Sequence, residues 1–272
     1  MRRTFADVLA NAGIDLAREY ERIYIVYFEK DNDGSSWRDV CERHFYEMPF
    51  RGTYLSLQDL EVCCNLHFSF TPDDFDIDYL VSFCEFFYNL VKHCQSEGHF
   101  YRSKFPNPTQ QIEALIDKLN YKIISHNKIF LFVPKDQPAM VVSEMLPPTL
   151  SYKVIEYNHH SMKGDLERKQ ATLKLLADQL EARKDELNSI NSSLKSDLFF
   201  LFNNINIRHN NVDPKSNSYK EAVADMPDNE LEEWYDRTYD MCLYAFMTLE
   251  QTDRNAKVKE LKAKIQSSND QQ

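Results

Sequence analysis

Residues 194–211 read LKSDLFFLFNNINIRHNN, and this stretch decides how the second half of the chain folds. Leu194, Leu198, Leu201 and Ile205 follow one another at steps of four, three and four, which is one stripe of an α-helix. The next position on that stripe is Arg208, followed by His209, Asn210 and Asn211. Burying such polar groups unpaired costs on the order of 2–7 kcal/mol each. This end of the helix is therefore either fully hydrogen-bonded or lines a cleft.

Working outward, the spacing predicts three helices after Pro147-Pro148. The first covers Tyr152 to about Ile190, with a break at Gly164 and a new cap at Asp165. The second covers Leu194 to Asn210, and a turn at 188–193 precedes it. The third covers Asp228 to Leu249, and a polar loop with Pro214 leads into it. The charged tail 253–272 is expected to fray. Three helices on short links make a bundle.

The part before Pro147 reads as mixed. Short helices are predicted at Phe5–Ala12, within 15–29 and at Leu57–Leu66. Longer ones are predicted at Asp76–Gln95 and Thr109–Leu119. Tyr121–Ser125 and Ile129–Val133 flank His126-Asn127-Lys128 as a β-hairpin. The expected fold is mainly α. An N-terminal α-rich α+β part, 1–148, carries one hairpin near 121–133, and a C-terminal helical bundle covers 149–272.

Composition excludes several classes. The chain has 272 residues, 43% of them hydrophobic, and a net charge of −11. Both halves are acidic, unlike a constitutive nucleic-acid binder. Only 5 glycines occur, and neither G-x-G-x-x-G nor G-x-x-x-x-G-K is present. The helix and hairpin near 109–133 would suit a winged helix, but 109–119 carries one Lys against two acids. Six cysteines show no C-x-x-C pair, and most sit among apolar residues. No metal spacing is present, and no metal or cofactor is expected. With no apolar run of about 18 residues and no signal-peptide core, the chain reads as cytoplasmic, with no membrane span.

Arg208, His209, Asn210 and Asn211 allow two readings. Arg neutralises a phosphate and His transfers a proton near neutral pH, so the cluster suits phosphodiester cleavage. A helix C-terminus also favours cations, and Asn adopts the left-handed cap. Supporting residues are His159 and His160, of which His159 falls on the apolar face of the predicted 152–190 helix, and Tyr235 and Asp236 in the first turns of the third helix. Straight helix geometry puts position 208 beside about residue 174, roughly 20 Å from His159. Arg38 and His44 also match an R-x(4–6)-H spacing, which chance supplies about once in a chain of this composition.

YNHHSMKGDLERK at 157–169, LFFLFNNINIRHNN at 198–211 and NELEEWYDRTYDM at 229–241 together resemble the helical C-terminal domains of bacterial abortive-infection proteins, a HEPN-like group. The resemblance covers about the last hundred residues. It implies an anti-phage or toxin-type effector that cleaves RNA without a metal, as a homodimer with the two polar helix ends facing across a cleft. HEPN ribonucleases place four to six residues between Arg and His, whereas His209 follows Arg208 directly. The alternative is a non-enzymatic interaction or regulatory protein that holds a partner protein, such as one encoded nearby, through its acidic helical surface. Part of the row Leu173, Leu176, Leu180 and Leu187 is expected to need other cover, from the N-terminal domain or from a second copy, and a homodimer through the C-terminal bundle is expected.

Overall fold

Apolar residues at helical spacing and side-chain caps set most elements, and the computed structural model describes residues 15–32, 34–69, 76–97 and 107–269. The fold is mainly α with one hairpin, as the sequence predicts. The predicted Phe5–Ala12 helix lies outside the described residues. Two compact units divide between Lys135 and Asp136, ahead of the Pro147-Pro148 pair at which the sequence places its boundary.

Unit 1 contains α1 (Leu16–Phe28), α2 (Trp37–His44), α3 (Leu57–Cys63), α4 (Ile77–Ser96), α5 (Pro108–Lys118), β1 (Tyr121–His126) and β2 (Ile129–Pro134). Ser36 and Ser56 open α2 and α3 with reciprocal capping boxes to Asp39 and Asp59. The sequence reading had no helix at α2. Asp76 caps α4 by accepting from the Tyr79 amide at 2.8 Å. α4 is the central helix, and Phe83, Cys84, Phe87, Leu90 and Val91 on it are fully buried.

The hairpin turns on two residues. Asn127 and Lys128 have φ of 50° and 66°, and His126 is the last residue of β1. Positive φ at both central positions matches the right-handed twist of the strands. A two-stranded ribbon is marginal alone, and here α4 supplies its missing partner. Asn89 donates to the Phe130 carbonyl and accepts from the Phe130 amide, both at 2.8 Å. Glu85 accepts from the Phe132 amide at 2.5 Å. Replacing Asn89 by Leu leaves the Phe130 amide and carbonyl unpaired. The expected loss is about 2 kcal/mol in denaturant unfolding, and an unchanged midpoint would refute this role.

Unit 2 contains α6 (Gln137–Met145), α7 (Pro148–Glu156), α8 (Leu166–Glu181), α9 (Lys184–Ile190), α10 (Ser192–Asn204), the single turn α11 (Glu221–Ala224) and α12 (Asp228–Asn269). The 152–190 stretch, expected as a helix broken once at Gly164, forms three helical pieces. The first break is the predicted one: Gly164 has φ 77°, and Asp165 recaps α8 by accepting from the Arg168 amide at 3.0 Å. The second falls at Ala182-Arg183. α9 runs to Ile190, so the turn expected over 188–193 shrinks to Asn191, which caps α10.

Two further corrections concern helix lengths. α10 stops at Asn204, and 205–211 is irregular rather than helical. α12 runs on to Asn269 where a frayed tail was expected. The 228–249 part of α12 packs on α8, and Ala139 and Val142 of α6 with Leu150 and Val154 of α7 join the same core. Leu173, Leu176, Leu180 and Leu187 are each fully buried in the unit's own core. No part of that row is left exposed to call for a second copy.

Candidate functional site

The segment after α10 is a loop held from inside. Asn206 adopts φ 61°, and the Arg208 amide returns to the Phe202 carbonyl at 2.9 Å. Asn211 is fully buried. Its Oδ1 accepts from the Asn206 amide at 2.7 Å, and its own amide donates to Asn206 Oδ1 at 3.2 Å. Its Nδ2 donates to the carbonyls of Asn203 at 3.2 Å and Ser218 at 2.7 Å. Its carbonyl accepts from the Lys220 amide at 2.8 Å. Gln170 donates to the Asn206 carbonyl. Asn211 thus pins both ends of the loop.

Arg208 leaves the apolar stripe and lies along α8, where its guanidinium donates to Glu181 at 2.6 Å and stands 3.9 Å from Asp178. Lys184 first, and Arg208 second, hold the Glu181 carboxyl below the usual carboxylate range. Both Arg208 and Glu181 are partly solvated, so the pair contributes less than about 1 kcal/mol. Two expected outcomes follow. Arg208→Ala moves the unfolding midpoint little. By NMR titration it shifts Glu181 upward only part of the way, because Lys184 remains. The sign is that of a depressed carboxylate. The contribution is present above the unfolded-state pKa and is lost as pH falls through the folded-state value. His209 and Asn210 are exposed, and Asn210 accepts from the amides of Val212 and Asp213.

The supporting residues divide among three places. Tyr235 reaches this loop, hydrogen-bonded to Asn206, and burial raises its pKa to about 12 with that bond partly offsetting the rise. His159 and His160 lie instead at the start of α8, stacked on each other with centroids 4.0 Å apart. His159 is not on a helix face, because it caps a short 3-10 turn and accepts from the Ser161 amide at 3.2 Å. α8 separates the two places: residues 165–168 and residue 181 are roughly 20 Å apart along its axis.

Asp236 belongs to a third grouping that the sequence did not suggest. Lys169 is nearly buried and donates to Asp236 at 2.6 Å and to Glu232 at 2.7 Å. Tyr157 donates to Asp236 at 3.0 Å and stacks on Tyr239 at 4.0 Å. Burial, then Asp236, pushes the Tyr157 hydroxyl far above its ordinary range, so it stays a donor. Glu232 also accepts from the Gly164 amide at 2.7 Å. Burial alone would raise the Glu232 carboxyl, but Lys169 and this amide outweigh it and hold it low. Every hydrogen bond here ties the 157–165 turn and α8 to α12. The signal in the sequence is Lys169 on the apolar side of α8, next to Thr172 and Leu173.

In unit 1, Arg38 is bound through both Nε and an Nη to Glu61, at 2.9 and 2.8 Å. His44 instead pairs with Glu47 at 3.6 Å. The Arg38–His44 spacing therefore does not bring the two side chains to one point.

Comparison with protein-family patterns, with curated proteins and with solved structures finds no match. The class that geometry defines is a mainly α, two-unit protein whose candidate catalytic cluster is tied into loop scaffolding and a surface ion pair. Beyond Leu249, α12 has no buried residue among those described. Every described side chain from Gln251 onward is exposed, including Val258, Leu261 and Ile265. Among the described residues no helix is long and apolar enough to cross a membrane.

Proposed function

We propose that this protein acts in the cytoplasm by holding a partner protein through an exposed helical face of unit 2. The observation that carries this reading is α12, which continues for about five turns past Leu249, its last buried residue, with Val258, Leu261 and Ile265 open to water. Apolar side chains repeated along one face of an uncovered helix mark an interaction surface. The state of the Arg208 cluster adds support, since Arg208 is paired with Glu181 and Asn211 is used up in the loop. Buried thiols at Cys41, Cys84, Cys94 and Cys242, packed as small apolar groups, suit a reducing compartment. The test is Leu261→Glu in the full chain in its own host. It is expected to abolish co-purification of the bound protein, whereas Arg208→Ala with His209→Ala retains it. The opposite pattern would overturn the proposal.

One observation favours the second reading, an anti-phage RNA-cleaving effector. His209 and Asn210 are exposed directly beside Arg208. In that reading Arg208 leaves Glu181 for phosphate, His209 transfers the proton, and a second copy completes the cleft. RNA cleavage, or toxicity on expression, that is lost in the Arg208→Ala, His209→Ala double variant would establish it. Toxicity that survives the double variant would count against it.

A further inference from the structure

We infer that the partner's contact element is an acidic amphipathic helix, which packs lengthwise along α12 from Tyr244 to Ile265; this rests on the binding reading above. The first observation is spacing. Tyr244 and Met247, then Gln251 and Arg254, then Val258, Leu261 and Ile265 alternate at steps of three and four. That is the seam of a two-helix coiled coil. Its upper half forms the floor of a groove of about 690 Å³, whose walls include Val141 and Met145 of α6 and Ile190 at the end of α9. Val141, Ile190 and Tyr244 are exposed although large and apolar. The lower half continues straight out of that groove, so one helix about 30 Å long covers both. Gln251 and Arg254 place a polar layer midway, which fixes register.

Charge selects the occupant. The whole chain carries −11, but the positions flanking the lower seam are Lys257, Lys262 and Lys264. In a parallel second copy these flanks meet Lys with Lys, which repels; an antiparallel copy over the same length sets only Lys257 near an acid, Glu250, and leaves Lys262 and Lys264 opposite Thr248 and Leu243. A partner with Glu or Asp at the same positions gains complementary pairs, and the Arg254 position gains an acid. A membrane surface fits less well. The stripe is one seam wide, and residues 254–266 contain no aromatic side chain, whereas helices that lie in lipid present a broad face with Trp, Phe or Leu.

The experiment uses the full chain and four probes. Two are synthetic amphipathic helices with the same Leu seam, one flanked by Glu and one by Lys. The third is vesicles of phosphatidylserine and phosphatidylcholine, and the fourth is the protein alone in light scattering. Fluorescence anisotropy is expected to give binding to the Glu-flanked helix at least about tenfold tighter than to the Lys-flanked one. Val258→Glu with Leu261→Glu is expected to weaken that binding at least about tenfold. Reversing Lys257, Lys262 and Lys264 to Glu is expected to invert the preference between the two peptides. That inversion cannot come from lost helix structure, so it holds even where the first variant loosens α12. Equal binding of both peptides, vesicle binding without peptide binding, or self-association through the same face would each overturn the inference. Failure with the peptides, while Leu261→Glu still abolishes capture of the host protein, removes the acidic helix and leaves the binding reading standing. Failure of both removes the reading as well.

Discussion

Replacing Glu61 by Ala is expected to cost unit 1 about 3–5 kcal/mol, a large share of the roughly 5–15 kcal/mol that holds an ordinary domain folded. Glu61 is only 4% exposed and sits inside the aromatic core. Its Oε1 accepts from the Tyr27 hydroxyl at 2.9 Å and from Arg38 Nε at 2.9 Å, and its Oε2 accepts from Arg38 Nη2 at 2.8 Å. Burial, then Glu61, holds the Tyr27 hydroxyl protonated far above its usual range, which makes Tyr27 the donor. Removing the carboxylate leaves a guanidinium and a buried hydroxyl without their acceptor, and that orphaning is the larger part of the cost. Glu61→Gln keeps one acceptor oxygen and is expected to lose less. Guanidinium unfolding of the two variants, followed by intrinsic fluorescence, gives the comparison. A loss under about 1 kcal/mol for Glu61→Ala would show that the triad is not structural.

The second large effect is expected at Asn211. Its side chain joins the Asn206 amide to the Asn203 and Ser218 carbonyls at zero exposure. Asn211→Ala removes the partner of three part-buried backbone groups and empties a fully buried position, at a cost of about 2–3 kcal/mol in unit 2. Asn211→Asp tests the chemistry more sharply. It keeps the acceptor toward Asn206 but turns an oxygen toward two carbonyls, so it is expected to be at least as damaging as Ala. Arg208→Ala, three residues away, is expected to be nearly neutral. A neutral Asn211→Ala beside a destabilising Arg208→Ala would reverse the roles assigned here.

Much of the fold was legible in the spacing of apolar residues. The stripe Leu194, Leu198, Leu201 and Ile205 is buried as its period predicts, and so is the face of α4. The hairpin was legible from its β-branched and aromatic runs flanking Asn127-Lys128. Helix ends were less so. α10 stops at Asn204 because Asn206 turns left-handed and Asn211 reaches back to hold it, a contact five residues apart that no period encodes. The Lys169–Asp236–Tyr157 grouping joins residues far apart in the chain, and only folding shows that they meet. The α12 extension was written in the heptad spacing 244–265. Its charge drew the reading toward a frayed tail, since Lys and Glu are common in both.

A photo-cross-linking side chain placed at position 261 of the full chain, in its own host, tests the binding face most directly. The expected result is a single adduct whose cross-linked residue lies in an acidic amphipathic segment of another protein. It should form equally well when Arg208 and His209 are both replaced by Ala. An adduct to a second copy of this chain or to lipid would contradict it. So would no adduct at 261 together with RNA cleavage that depends on Arg208 and His209.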